Sequence, residues 1–192
     1  MTSILVSSKR KGLGKTTLIK KFIKNLRGDI VVIKSSIHDE YDGFKLIEDN
    51  NIIKEDNTDT NIFDKAGAEK VYYLKSNKDS LKEGVKKSLN KIKEYDYLIV
   101  EGNSIIEFIN FNLVFYLDLE GGDKKDSAEM CKNRADVIIN KEKEQQIELN
   151  LEKISCFKAH LIGHSLGIPL KKVGKMLNNE QVRVEDCQLG LF

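Results

Sequence analysis

The feature that most limits how this chain can fold is a basic, glycine-containing segment between a strand pattern and a helix pattern. An apolar run, Ser3-Ile4-Leu5-Val6-Ser7, predicts a strand, and Lys9-Arg10-Lys11-Gly12-Leu13-Gly14-Lys15-Thr16-Thr17 follows it. From Thr16 to Leu26, apolar residues recur with the period of a helix. A strand, a loop that ends in Gly-Lys-Thr and a helix, in this order, are the context of a phosphate-binding P-loop.

Each residue type in this loop suits phosphate. Glycines let backbone amides turn toward phosphate oxygens, and the helix that follows adds the positive end of its dipole. We expect Lys15 to reach the β- and γ-phosphates, Thr16 to ligate Mg²⁺ and Thr17 to bond the α-phosphate. The predicted phosphate-binding residues are Lys11, Gly12, Leu13, Gly14, Lys15, Thr16 and Thr17. The alternative is a solvated basic loop before a helix.

The loop departs from the consensus G-x-x-x-x-G-K-[ST] at one position. Lys9 stands where the first glycine is usual. We expect its Cβ either to strain the first turn or to open the loop more widely. The neighbouring Arg10 and Lys11 add positive potential for a triphosphate.

The rest of the chain alternates between strand and helix patterns. Apolar runs predict strands at 30–33, 71–74, 97–100, 113–117 and 137–139, with helix-length segments between them. This order predicts right-handed crossovers and a mostly parallel sheet, that is, an α/β three-layer sandwich of the P-loop NTPase type. The polar stretch 38–60 is long for a connection, and such loops are usually functional or mobile. The charged stretch 141–150 predicts a boundary between a nucleotide-binding domain, 1–150, and a small helical extension, 151–192.

Composition excludes several classes of protein. The chain has 192 residues, of which 40% are hydrophobic, and this content is enough for a core. No run approaches the ~20 apolar residues that cross a bilayer. Three cysteines and an N-terminus without a signal pattern indicate a reducing, cytoplasmic location. A net charge of +2 is too small to imply a polyanionic partner.

Three carboxylates are candidates for the metal side of the phosphate site. Glu101 follows the strand at 97–100, where ligands bind in open parallel sheets. Asp39, beside His38, follows the strand at 30–33, and with Thr16 and Glu101 it completes the predicted Mg²⁺ set. Asp59 either belongs to this site, where Lys15, Glu101 and Asp59 would be the catalytic residues, or caps a helix.

Asn140 and Lys141 follow the strand at 137–139. In many P-loop GTPases an Asn-Lys-x-Asp loop reads guanine at such a position. Here the fourth residue is Lys143. We therefore predict that Asn140 and Lys141 contact the base, while the choice of GTP over ATP stays open.

Together these residues resemble the MobB family, the molybdopterin-guanine dinucleotide biosynthesis accessory proteins. The matching pieces are Gly14-Lys15-Thr16-Thr17, Val32-Ile33-Lys34 with His38 and Asp39, Asp59-Thr60 followed by Ala66-Gly67-Ala68, and Asp96 to Gly102. The resemblance implies a GTP-binding P-loop protein, often dimeric, with weak GTPase activity. It would use Mg²⁺ and assist the enzymes that attach GMP to molybdopterin.

The carboxy-terminal tail has a pattern of its own. Residues 159–178 resemble a helix-turn-helix, and we expect a packing or docking unit rather than a DNA reader. Cys156, His160 and His164 recur every fourth residue, so they share one helix face. With Cys187 they would suit tetrahedral zinc, and the alternative is a small buried cysteine flanked by exposed histidines.

Three functions compete. The first is the GTP-binding accessory protein of molybdenum cofactor maturation. The second is a nucleotide-dependent metallochaperone or regulator that senses metal or a partner through its tail. The third is a small-molecule kinase, which needs a second pocket facing the γ-phosphate and a preference for ATP.

Overall fold

A computed structural model describes residues 1–92, 94–121, 126–140 and 146–186. The strands are β1 (Thr2–Ser8), β2 (Ile30–Ile37), β3 (Phe44–Ile47), β4 (Lys70–Ser76), β5 (Tyr97–Glu101), β6 (Leu113–Asp118), β7 (Val137–Asn140), β8 (Ile147–Leu149), β9 (Lys153–Ser155) and β10 (Arg183–Glu185). The helices are α1 (Lys15–Asn25), α2 (Asn50–Ile53), α3 (Asp59–Ala66), α4 (Leu81–Lys91), α5 (Asp126–Asn133), α6 (Cys156–Leu166) and α7 (Leu170–Asn179). A 3₁₀ turn spans Ser104–Glu107. Over the described ranges, none of these helices has the length and apolar content to cross a bilayer.

Within the described residues, eight strands form one sheet in the order β3-β4-β2-β5-β1-β6-β7-β8. The six inner strands are parallel, and the two edge strands, β3 and β8, pair antiparallel with their neighbours. Parallel strands need crossover connections, and the helices that make them cover both faces of the sheet. The predicted three-layer α/β fold with a mostly parallel sheet is therefore confirmed.

Successive side chains along the strands point to opposite faces of the sheet and so form two hydrophobic cores. In β1, Ile4 and Val6 face the layer of α1 and α3, while Leu5 faces the layer of α4 and α5. Each strand predicted from an apolar run is present. The stretch 38–60, expected to be a connection, also contains β3 and α2, and β8 lies in the charged stretch that we read as a boundary.

The tail packs on the first helix of the sheet domain. Its helices α6 and α7 follow one another across a short turn, and their apolar residues join the same core as α1. Gly167 ends α6 with φ 58°, and the Asn25 side-chain amide at the end of α1 donates a hydrogen bond to the Ser165 carbonyl (3.2 Å). Lys158 of α6 also forms an ion pair with Asp136 (2.7 Å), which anchors the tail to the loop before β7. The division at residue 150 stays a prediction.

Candidate functional site

The loop between β1 and α1 leaves the start of α1 open. Gly12 and Gly14 have φ values of 82° and 91°, in the left-handed region that favours glycine. Gly14 is the N-cap of α1, and no side chain of the described residues caps the helix, whereas Thr58 and Ser155 cap α3 and α6. The first turn of α1 carries Lys15 and no acidic residue, which is unfavourable for the helix dipole. An anion at this position would compensate both deficits.

Lys9 does not strain the first turn, so the first of the two effects expected from the missing glycine is not found. Its φ is not positive, and its backbone amide donates to the Leu117 carbonyl (3.0 Å), in continuation of the β1–β6 ladder. The side chain is 8% exposed, and its ammonium donates to the Leu119 carbonyl (2.8 Å). Lys9 therefore ties the loop to the end of β6.

Lys15 points back across the loop toward the sheet. Its ammonium donates to the Ser8 hydroxyl (3.0 Å) and lies 3.8 Å from Oε1 of Glu101. Glu101 ends β5 and is 6% exposed, and its second oxygen, Oε2, is buried without a hydrogen-bond partner among the described residues. A buried carboxylate oxygen left without a partner is costly, and such groups commonly mark a functional site. This orphan oxygen fits a water-coordinated cation close to the loop.

Asp59 belongs to this cluster rather than to a helix cap. Thr58 is the N-cap of α3, and its hydroxyl accepts a hydrogen bond from the Asn61 amide (3.2 Å). The Asp59 carboxylate is therefore available to accept a hydrogen bond from the Thr16 hydroxyl (2.8 Å) and to pair with the Lys34 ammonium. The alternative role of Asp59 as the cap is wrong.

Lys34 lies beside Glu101 in the sheet, where the two residues are register neighbours of β2 and β5. Burial lowers the pKa of Lys34 below its ordinary value; the charge of Glu101 opposes that shift, while Lys15 and Lys11 add to it.

Threonine hydroxyl and carboxylate oxygens are the ligands that Mg²⁺ prefers. Thr16, Asp59 and Glu101 thus fit a magnesium site at the start of α1.

Three further residues were predicted at the site: Asp39, Asn140 and Lys141. Asp39 is on an exposed turn after β2, and the carboxylate that contacts Thr16 is Asp59 instead. Asn140 ends β7 and is buried, and its amide donates to the Gln146 carbonyl (2.9 Å). Lys141 lies outside the described residues, so its predicted contact with the base stays a prediction.

Asn103, which follows Gly102 after β5, was not predicted from the sequence as a site residue. Asn103 brackets Ser8: its side-chain oxygen accepts from the Ser8 amide (3.2 Å), and its side-chain NH₂ donates to the Ser8 carbonyl (2.8 Å). Gly102 has φ 151°, and a Cβ there would lie 3.1 Å from the Ser35 carbonyl oxygen. The Glu-Gly-Asn sequence after a strand is the signal that could have indicated this support of the loop.

A cleft of about 370 Å³ opens beside Asp59. Lys34, Tyr73 and Lys75 of β2 and β4 line one side, and the connection between α2 and α3, which includes Asn57, lines the other. Its volume is in the range of sites for small organic molecules.

Of the four zinc ligands predicted in the tail, the three within the described residues, Cys156, His160 and His164, do not form a metal cluster. His160 and His164 lie on α6 with their ring centres 6.3 Å apart, Cys156 is half-buried, and His164 is exposed. Over the described parts of the chain, no three His, Cys, Asp or Glu residues are arranged to hold a metal ion. Cys187 lies outside those parts.

No protein-family model matches the chain, and no curated protein sequence matches it either. Among solved structures, the chain is similar to HypB from Helicobacter pylori, determined in complex with nickel. The sequences are 15% identical, the match covers 95% of this chain and 77% of that chain, and the TM-score is 0.39. A likeness this weak says nothing of ligands for this chain. The strand order and the β1–loop–α1 unit give it the α/β fold of a P-loop protein.

Proposed function

We propose that this chain binds a nucleoside triphosphate together with Mg²⁺ at the loop before α1. The observation that carries the proposal is the convergence of Lys15, Thr16, Asp59 and Glu101 beside an uncapped helix N-terminus. These residues come from three elements, α1, α3 and β5, and meet at the carboxyl end of the parallel sheet. Ligands bind at that edge in open α/β sheets.

Each residue has a defined task in this proposal. The amides from Lys11 to Thr17 surround the phosphates, and the Lys15 ammonium moves from Ser8 to the β- and γ-phosphates. The Thr16 hydroxyl and the Asp59 and Glu101 carboxylates hold Mg²⁺, directly or through water. When bound, Mg²⁺ neutralises charge on the phosphate oxygens.

The finer assignment is a GTP-binding accessory protein of molybdenum cofactor biosynthesis, with weak GTPase activity and a homodimeric state. It is supported by the resemblance of the loop, the Ala66-Gly67-Ala68 segment and the Val100-Glu101-Gly102 segment to the MobB family. Asn140 lies at the end of β7, in register with Asp118 of β6, so it is at the sheet edge that the base would reach.

Calorimetric titration with GTP and with ATP, each with Mg²⁺, tests the nucleotide proposal. We expect saturable binding that requires Mg²⁺, tighter for GTP, and about 10- to 100-fold weaker in Lys15→Ala. If neither nucleotide binds, the proposal as a whole is contradicted. Tighter binding of ATP contradicts only the cofactor-maturation assignment.

The pathway assignment needs its own assay. Added to a purified enzyme that attaches GMP to molybdopterin, the wild-type chain should raise the yield, and Lys15→Ala should not. Equal yields with and without the wild-type chain would contradict the assignment.

A phosphoryl-transfer enzyme acting on a small molecule is the second candidate, and one observation favours it. The cleft shares Asp59 with the proposed phosphate site, and its volume of about 370 Å³ suits a small acceptor molecule. A preference for ATP in the same titration would favour this candidate. The metallochaperone alternative stays a prediction, and metal analysis tests it.

A further inference from the structure

One face of the sheet changes from apolar to polar where β2 and β4 end. In β2, Val32 lies in the core under α1 and α3, and Lys34 follows it on the same face. In β4, Val71 lies in that core, and Tyr73 and Lys75 follow it. If these positions were buried under the helices, further aliphatic residues would be expected there. The polar residues at these positions line the cleft instead.

The other side of the cleft is the connection that leads into α3. Asn57 and Thr58 lie there, directly before Asp59, the residue that accepts the hydrogen bond from Thr16. Asn57 has φ 63°, a conformation that asparagine tolerates better than most residues. The cleft therefore shares Asp59 with the phosphate site, and a molecule in it would lie next to that site.

The charges that line the cleft leave one cation without a counter-ion. Lys34 pairs with Asp59, whereas Lys75 makes no ion pair with any other described residue. The Lys75 ammonium lies 4.9 Å from the centre of the Tyr73 ring, and the Lys34 ammonium lies 5.9 Å from the same ring. Glu55 also lines the cleft, but it is exposed, so water screens its charge. Two ammonium groups thus converge over one aromatic ring.

We propose that this cleft binds a small molecule with a phosphate or carboxylate group, held by the Lys75 and Lys34 ammonium groups. Its placement beside the terminal phosphate of a nucleotide rests on the proposed function, whereas its preference for an anion rests on the cleft alone. Tyr73, which lines the cleft, supplies a flat surface and a hydroxyl. That hydroxyl already accepts a hydrogen bond from Ser36 (2.9 Å), so its own proton is free for a ligand oxygen.

Calorimetric titration with glycerol 3-phosphate and with succinate tests this inference. The chain is first saturated with a non-hydrolysable GTP analogue and Mg²⁺, so that the phosphate loop cannot take the probe. We expect saturable binding of at least one probe, and the tighter one identifies the anion class. Lys75→Ala should weaken that binding about tenfold, the effect of losing one charge-assisted hydrogen bond. Thermal melting checks that the variant is folded.

Lys70→Ala is the matched control. Lys70 lies on the same strand, with its ammonium 5.7 Å from the Tyr72 ring, but it does not line the cleft. The Lys70→Ala variant loses the same charge and the same kind of contact as Lys75→Ala, but at a position outside the cleft. Both probes should therefore bind to it as they bind to the wild type. Equal weakening by Lys70→Ala and Lys75→Ala would indicate a general charge effect and overturn the inference.

The test of the cleft can be separated from the test of the nucleotide proposal. If the GTP analogue does not bind, the probes are titrated into the free wild type, Lys15→Ala and Lys75→Ala. Binding that Lys75→Ala weakens and Lys15→Ala leaves intact supports the cleft even then. Binding lost only in Lys15→Ala, or no saturable binding of either probe, overturns the inference.

Discussion

The phosphate-loop end of the sheet and the Cys-His face of α6 differ in how their polar residues come together. At the sheet, Thr16, Asp59 and Glu101 are far apart in sequence, yet Asp59 accepts from the Thr16 hydroxyl and Lys15 lies 3.8 Å from Glu101. On α6, Cys156, His160 and His164 are regularly spaced, yet they form no metal cluster within the described residues. Regular spacing on one helix puts side chains on the same face, but they stay separated from one another along the helix axis.

The comparison teaches that a parallel sheet gathers distant residues better than one helix gathers near ones. Every inner strand ends at the same edge, so one polar residue per strand is enough to build a cluster. A helix needs a further element to close a tetrahedral site. In this chain the residue that would supply it, Cys187, lies outside the described residues.

The largest expected effect is that of Lys15→Ala on nucleotide binding. The variant removes the ammonium beside the open N-terminus of α1, and we expect affinity to fall by about 10- to 100-fold, the range for one charged hydrogen bond. Calorimetry measures it. Lys20→Ala, on the exposed side of the same helix, is the control and should change affinity by less than about twofold. Similar losses in both variants would contradict a specific role for Lys15.

The two regions also offer a matched pair of buried carboxylates. Asp136, which anchors the tail, accepts from the Val114 amide and from Lys158, so Asp136→Asn should lower the free energy of unfolding by about 2 kcal/mol. Glu101 has an orphan oxygen, so Glu101→Gln should not lower it in the absence of ligands, while it weakens the Mg²⁺ dependence of nucleotide binding. Denaturant titration and calorimetry measure the two effects. A loss of stability in Glu101→Gln equal to that in Asp136→Asn would make Glu101 a structural residue.

Two glycines sharpen the comparison further. Gly102→Ala combines φ 151° with a contact of 3.1 Å to a backbone oxygen, so we expect a loss of about 2 kcal/mol in the free energy of unfolding. In Gly163→Ala of α6, the new Cβ would lie 3.0 Å from the end of Leu170, 3.2 Å from Val173 and 3.3 Å from the Ile168 carbonyl oxygen. Since its φ is not positive and alanine favours a helix, we expect a smaller loss, of about 1 kcal/mol. Denaturant titration compares them. A larger loss of stability for Gly163→Ala than for Gly102→Ala would contradict this, and it would mean that the packing around Gly163 tolerates a Cβ less well than the packing around Gly102.

The smallest expected effect is that of Cys156→Ala. The described residues form no metal cluster there, so we expect no stoichiometric zinc or nickel in the purified chain and a change in unfolding free energy below about 1 kcal/mol. Elemental analysis and denaturant titration measure both. One equivalent of metal that is lost in Cys156→Ala would contradict this and favour the metallochaperone alternative.

Much of this fold could be predicted because its signals are local. The apolar runs of the inner strands and the Gly14-Lys15-Thr16 sequence carry their own patterns. The edge strand β3 could not be predicted, since it has four residues and exists through its pairing with β4. The bonds between Asn103 and Ser8 join positions 95 residues apart, which no local pattern reveals.

A crystal structure of the chain with a non-hydrolysable GTP analogue and Mn²⁺ in place of Mg²⁺ tests the central claim most directly. The account predicts phosphates against the amides of residues 11–17, Lys15 on the terminal phosphates, and metal density next to Thr16, Asp59 and Glu101. Nucleotide bound elsewhere, or metal density away from Glu101 and Asp59, would contradict it.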